Sequence, residues 1–242
     1  GSLCENHIKP YFGNTKLSDL RGDAIEGFYS YLKNNTGLSS NSIHHIHKTL
    51  RACLNKAVRW GYLTSSPMLN TEPPKRTKTT IKFWQPDEIK EALLLFENTP
   101  IKWHVNFALY TGLRLGEVCA LKEDCIDFKN RTFKVRETAQ RVKGKGIVFK
   151  EPKTEESKAE MPLTKECARL LKEKMLENRN NRISNARFYN NDHIGCLSVW
   201  EDGTLFDPTY ISGMFTDILK AQEKIPQITF HGLRHSCASW LL

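Results

Sequence analysis

The sequence has no apolar run of about 18 residues, so nothing in it reads as a membrane-spanning helix. It also lacks a basic N-terminal stretch followed by an apolar core, the layout of a secretory signal. No C-x-x-C pair occurs, and the seven cysteines (Cys4, Cys53, Cys119, Cys125, Cys167, Cys196, Cys237) cannot all pair. Reduced thiols in a cytoplasmic protein are expected, each a small buried hydrophobe. Metal-ligand patterns are missing too. His231 and His235 have the H-x-x-x-H spacing, but Gly232 stands where H-E-x-x-H needs Glu. His44, His45 and His47 stand at i, i+1 and i+3, where three rings do not converge on one ion. No clustered carboxylates accompany either set, which argues against a metal-dependent nuclease or phosphatase. There is no initiator Met; Gly1-Ser2 has the look of a cloning remnant, and a missing native N-terminus is expected.

What is present is a soluble, globular composition: 242 residues, 26% charged and 39% hydrophobic, enough for one large domain or two small ones. The formal charge of +9 favours an acidic partner, nucleic acid above all. It is uneven. Through Thr80 there are 11 Lys/Arg against 5 Asp/Glu, a net +6, so the smaller segment holds most of the excess.

That first segment reads as short helices. "KLSDLRGDAIEGFYSYLKNN" offers Ser18 as an N-cap and an apolar series Leu20, Ile25, Phe28, Tyr29, Leu32. The next helix has an apolar stripe of Ile43, Ile46, Leu50, Leu54, Ala57 and Val58, in steps of three and four. His44, His47, Lys48, Arg51, Lys56 and Arg59 are assigned to its other side, a cationic face suited to a DNA groove or backbone. "SSPMLNTEPPKRTKTTIKF" then breaks the pattern with Pro67, Pro73 and Pro74, and adds Lys75, Arg76 and Lys78 as a basic connector able to track phosphates. Beyond it, "QPDEIKEALLLFENT" opens a new helix, and "IKWHVNFALYTGLRLGEVCAL" reads as a buried helix pair broken at Thr111-Gly112. Short β-like runs follow from Cys125, and helices return after Thr164. The fold expected is mixed and mainly α, with one small antiparallel sheet set among helices.

Three separated pieces carry candidate chemistry. In "TGLRLGE", Arg114 and Glu117 share a helix face beside a Gly-rich break, where a guanidinium fork can meet a phosphate. In "EPKTEESKAEMPL", Lys153 is expected at a hairpin tip, with Lys158 on the return. In "HGLRH", Thr229 is a candidate N-cap, which would put His231 in the first turn of a helix and Arg234 one turn on, near N–H groups that favour an anion. Two arginines, a lysine and a histidine around one anion suit phosphoryl transfer without a metal. The cations would stabilise the pentacoordinate transition state, and the lysine and histidine would handle protons.

With these pieces in place, the chain resembles the tyrosine recombinase (phage integrase) family. "ALYTGLRLGEVCAL" is similar to the family's first arginine box, "HGLRHSCASWLL" to its H-x-x-R box, and "PKTEESKAEMPL" to the hairpin bearing its lysine. The resemblance implies a helical core-binding domain over residues 3–70, a basic linker over 71–83 and a catalytic α/β domain over 84–242. It implies that Arg114 and Arg234 clamp the scissile phosphate, and that Lys153 (less plausibly Lys158) is the general acid toward the 5′-hydroxyl. His231 would be a phosphate ligand and proton acceptor, and Glu117 a supporting residue. No cofactor or metal is implied. The partners are double-stranded DNA and other recombinase protomers, and strand exchange passes through a 3′-phosphotyrosyl link. The family's tyrosine lies well beyond the H-x-x-R box, whereas only eight residues follow Arg234 and none is Tyr; Tyr210 precedes the box. The expectation is therefore a C-terminally truncated mobile-element integrase that binds DNA without a nucleophile and is monomeric without its tail. A naturally non-catalytic DNA-binding regulator using the same clamp is the alternative.

Overall fold

The computed structural model describes residues 3–77, 80–151 and 160–240. The chain divides into two compact units, Gly1–Thr80 and Ile81–Leu242.

In the first unit a π-helical turn, Cys4–Ile8, runs into α1 (Lys9–Phe12), followed by α2 (Gly22–Asn35) and α3 (Ser40–Arg59). The α2 positions Ile25, Phe28 and Leu32 recur at helical spacing and pack against Ile43, Ile46, Leu50 and Leu54 of α3 in one apolar cluster. Ser39 caps α3 by accepting the Ser42 N–H. Ser18 does not cap α2. It lies in a 3-10 turn (Leu17–Asp19), and α2 begins at Gly22, after extended backbone at Leu20 and Arg21.

His47 corrects the cationic face predicted for α3. At 100° per residue it falls between Leu54 and Val58 of the apolar stripe, and it is buried at 3% exposure. Its Nδ1 is 2.8 Å from the Tyr29 hydroxyl, so each polar atom satisfies the other inside the core. Burial, then the charges of His44 and Arg51, hold the His47 ring below the usual imidazole range. Burial raises the Tyr29 hydroxyl well above its ordinary value. Lys48, Arg51, Lys56 and Arg59 remain exposed, and His44 is half-buried.

The second unit opens with α4 (Pro86–Leu94), whose start is closed by the Gln85 N–H donating to the Glu88 carboxylate. Helices α5 (Lys102–Thr111) and α6 (Leu115–Ala120) follow. Trp84, Phe96, Phe107, Phe133, Leu171 and Phe215 are fully buried and anchor one core. Where a small sheet is expected, the described residues form two. Strands β1 (Ile126–Asp127), β2 (Thr132–Lys134) and β5 (Glu160–Pro162) make an antiparallel sheet in the order β1-β2-β5, with Phe133 opposite both Ile126 and Met161. Strands β3 (Thr138–Val142) and β4 (Gly146–Lys150) form a separate hairpin. Gly116 brings α6 against β3. A Cβ there would lie 2.4 Å from Thr138 Oγ1 and 2.7 Å from the Ala139 carbonyl oxygen. Lys153, Lys158 and Lys78 lie outside the described residues. Among the described residues β4 pairs with β3 and β5 with β2.

Helices α7 (Lys165–Ser184), α8 (Pro208–Lys220) and α9 (Gly232–Trp240) complete the unit. Among the described residues no helix is long and apolar enough to cross a membrane. All seven cysteines are free. Five are buried as expected, but Cys53 is exposed and Cys4 half-buried.

His104 of α5 is fully buried, with Nε2 2.8 Å from Ser198 Oγ. Burial, aided by the charge of Lys174, lowers its pKa to about 3. The unfolded chain therefore binds a proton below pH 6.5 that the folded chain refuses until about pH 3. Stability is fully present above pH 6.5 and is expected to fall as pH drops through that window, by up to about 1.4 kcal/mol per pH unit. Urea unfolding at a series of pH values checks this; His104→Asn should flatten the dependence, and an unchanged slope in that variant contradicts it.

Candidate active site

The site begins where α5 stops. The Gly112 N–H donates to the Ala108 carbonyl at 2.8 Å, and Gly112 takes φ 65°, the left-handed conformation that ends a helix at little cost only in glycine. The chain leaves in an extended direction, and Arg114 becomes the N-cap of α6. Three residues on, Glu117 turns both carboxylate oxygens back: Oε2 accepts the Arg114 backbone N–H and Oε1 accepts its Nη1–H, each at 2.9 Å. The Glu117 side chain is 7% exposed and that of Arg114 52%. One buried carboxylate thus fixes the backbone and side chain of an arginine whose outer part reaches solvent, which a surface ion pair does not do.

The second half arrives with α9, whose start differs from the sequence reading. The helix begins at Gly232, so His231 sits at the N-cap position rather than in the first turn. The N–H groups of Gly232, Leu233 and Arg234 donate to the carbonyls of Thr229, Phe230 and His231, an opening 3-10 turn. These donors are committed inside the protein, so attraction for an anion here falls to side chains. α9 is held from one side by Ser236, whose hydroxyl accepts the Trp84 backbone N–H at 2.9 Å and donates to the Gly232 carbonyl at 3.1 Å.

From the other side α9 packs on the end of α5. Arg234 Nη1 donates to the Gly112 carbonyl at 2.7 Å, across 122 residues of sequence. A Cβ on Gly112 would lie 3.4 Å from Cys237 Sγ and 3.9 Å from Arg234 Cγ. The carbonyl that receives Arg234 is therefore two residues from Arg114. His231 lies within the field of both. Burial first, then the charges of His235, Arg234 and Arg114, hold its ring below the usual imidazole range. The His231 and His235 rings are perpendicular, with centroids 5.3 Å apart.

The fold therefore gathers Arg114, Glu117, His231 and Arg234, with His231 and both arginines exposed. Chemically this is a solvent-facing pair of guanidinium groups beside a ring kept neutral near pH 7, able to bind an oxyanion and to accept a proton from a hydroxyl beside it. Among the described residues no group of three or more His, Cys, Asp or Glu side chains is placed to hold a metal ion. The Gly112 carbonyl, Ser236 and Cys237 escape a sequence reading. The helix break at Gly112 is visible in the sequence, but nothing local says that its carbonyl receives a distant arginine.

Gly112→Ala is expected to destabilise the chain by about 1–2 kcal/mol through the left-handed backbone alone. A lowered urea midpoint with unchanged slope checks this; an unchanged midpoint contradicts the αL assignment.

Residues 82–242 match the phage integrase family and residues 2–73 the phage integrase SAM-like domain. A tyrosine recombinase XerC-like protein of Caldanaerobacter subterraneus is 27% identical over 98% of this chain and 65% of its own length. The ICEBs1 integrase of Bacillus subtilis is 29% identical over 70% of this chain and 46% of its own. The chain thus spans less than two thirds of the length of these curated relatives. Among solved structures, the Tn1549 transposon integrase in complex with transposon right end DNA superposes with a TM-score of 0.80, at 20% identity over 99% of this chain and 78% of that one. A lambda integrase dimer bound to a core site gives 0.70, at 16% identity over 97% of this chain and 75% of that one. These likenesses show the fold. The match over residues 82–242, most of the chain, shows the kinship: this chain belongs to the phage integrase family.

Proposed function

We propose that the chain is the core-binding and catalytic part of a site-specific DNA recombinase of a mobile element, acting on duplex DNA together with other protomers. The observation that carries the reading is the Arg234–Gly112 hydrogen bond, which anchors the second arginine two residues from the first. In this reading Arg114 and Arg234 bind the non-bridging oxygens of the scissile phosphate and neutralise the charge that grows as a fifth oxygen approaches phosphorus. Glu117 keeps Arg114 aimed. His231, neutral near pH 7, accepts the proton of the attacking hydroxyl. A tyrosine oxygen forms a bond to phosphorus while the bond to the 5′-oxygen breaks, and the leaving oxygen takes a proton from Lys153. The phosphodiester energy is kept in the 3′-phosphotyrosyl bond, so rejoining needs no nucleotide cofactor.

Residues 3–70 are assigned to a core-binding domain, 71–83 to the connector and 84–242 to the catalytic domain. The DNA-facing side chains are His44, Lys48, Arg51, Lys56, Arg59, Lys75 and Arg76, with Lys78 kept as a candidate. His47 is withdrawn because it serves the core. The residues are those of a DNA-associated protein of the cytoplasm.

Two outcomes are expected. The 242-residue chain binds duplex DNA, with log K falling linearly in log salt at about −0.9 per phosphate contacted. Fluorescence anisotropy at several salt concentrations reads this, and absence of salt-dependent binding removes the reading. In the product of the whole gene, Arg114→Ala and Arg234→Ala each slow strand cleavage by about 10²–10³-fold or more while DNA binding is largely kept. Cleavage at the normal rate in either variant removes the site assignment. No tyrosine follows Arg234 in these residues. A whole-gene product that binds DNA but never forms a covalent adduct would instead support a non-catalytic regulator using the same clamp.

A further inference from the structure

The basic connector is expected from sequence to link two domains and to track phosphates. Its described part is fastened to α3. Asn41 Nδ2 donates to the Thr77 carbonyl and His44 Nδ1 to the Pro74 carbonyl, both at 3.1 Å. Because a carbonyl only accepts, His44 carries its proton on Nδ1 in this contact, and Nε2 is its other polar atom. Pro73 and Pro74 have fixed φ and stiffen the fastened segment.

The consequence is a cavity of about 510 Å³ lined by Asn41, His44, His45, Lys48, Arg76 and Thr77. Asn41, His44, His45 and Lys48 stand at i, i+3, i+4 and i+7, one face of α3, and the connector supplies the opposite wall. No Asp or Glu lines it. Lys48 and Arg76 are exposed cations from different segments, brought to one hollow where Asn41 and His44 hydrogen-bond the connector. A cationic face made only of side chains along a helix would contact successive phosphates independently. A hollow walled by two segments lets cations from both reach the same anion.

We propose that this hollow is a socket for a single backbone phosphate of duplex DNA. Arg76 and Lys48 share that phosphate, His44 and His45 flank it, and Asn41 is a positioning residue that fastens the connector. The inference rests on the reading that the chain binds DNA, and adds that binding here is organised by the connector rather than by a diffuse basic surface.

The test is anisotropy on the 242-residue chain with a labelled duplex of arbitrary sequence, across a salt series. Lys48→Gln and Arg76→Gln are each expected to weaken binding about five- to tenfold and to lower the salt slope by about 1. Because either change empties the socket, the double variant should lose little more than the worse single. Asn41→Ala removes no charge, yet should weaken binding to a similar degree; a circular dichroism spectrum like that of the parent confirms that the helices persist. Lys56→Gln, outside the socket, should combine multiplicatively with Arg76→Gln. Multiplicative losses for Lys48 with Arg76, or an Asn41→Ala chain that binds like the parent, overturn the socket and leave the DNA-binding reading standing. A parent chain that does not bind duplex DNA overturns both.

Discussion

The hydrogen bond from the Arg234 guanidinium to the Gly112 carbonyl is the contact on which the rest of the candidate site depends. It forms where α5 ends in a left-handed glycine, a conformation that costs little only in glycine. Two residues later the same strand of chain becomes Arg114, already held by Glu117. One backbone feature thus ends a helix, receives one arginine and launches the other. Ser236 and Trp84 hold the opposite side of α9, so the helix is positioned from two directions.

Placing two arginines around His231 has an electrostatic cost, and it is visible at that ring. Its ring feels both arginines and His235, and protonation is disfavoured beyond what burial alone does. Glu117 offsets part of the repulsion at Arg114, while the Gly112 carbonyl, a dipole rather than a charge, orients Arg234 without neutralising it. The remaining positive potential is what an anion would relieve. Such preorganisation places the cost of assembly in the folding of the protein rather than in the chemical step. An incoming phosphate would also raise the His231 pKa, so the ring that is neutral in the free protein is ready to take up a proton once the anion is present.

Much of this was legible from local spacing. Arg114 with Glu117, and His231 with Arg234, lie three apart, and a three-residue separation is enough to predict a shared neighbourhood. The break at Gly112, the stripe Ile25, Phe28, Leu32 against Ile43, Ile46, Leu50, and the change from helix to short strands after Cys125 all follow from periodicity. What escaped is what depends on distant partners. His47 reads as polar, and only the Tyr29 hydroxyl opposite makes its burial tolerable. The division of the strands into two sheets turns on whether β5 pairs with β2 or β4, and three-residue strands carry too little pattern to decide it. The start of α9 moved because its first N–H groups found carbonyls in a 3-10 turn. Among the described residues the connector is fastened through the backbone carbonyls of Pro74 and Thr77, to which no side-chain pattern points.

The central claim is that Arg114 and Arg234 serve one anion. A crystal structure of the chain soaked with tungstate, a tetrahedral mimic of phosphate, tests it directly. The account predicts one tungstate with oxygens about 2.7–2.9 Å from both guanidinium groups, beside His231, with Glu117 and the Gly112 carbonyl keeping their arginines. Tungstate bound by one arginine alone, or the two guanidinium groups turned to separate surfaces, would contradict it.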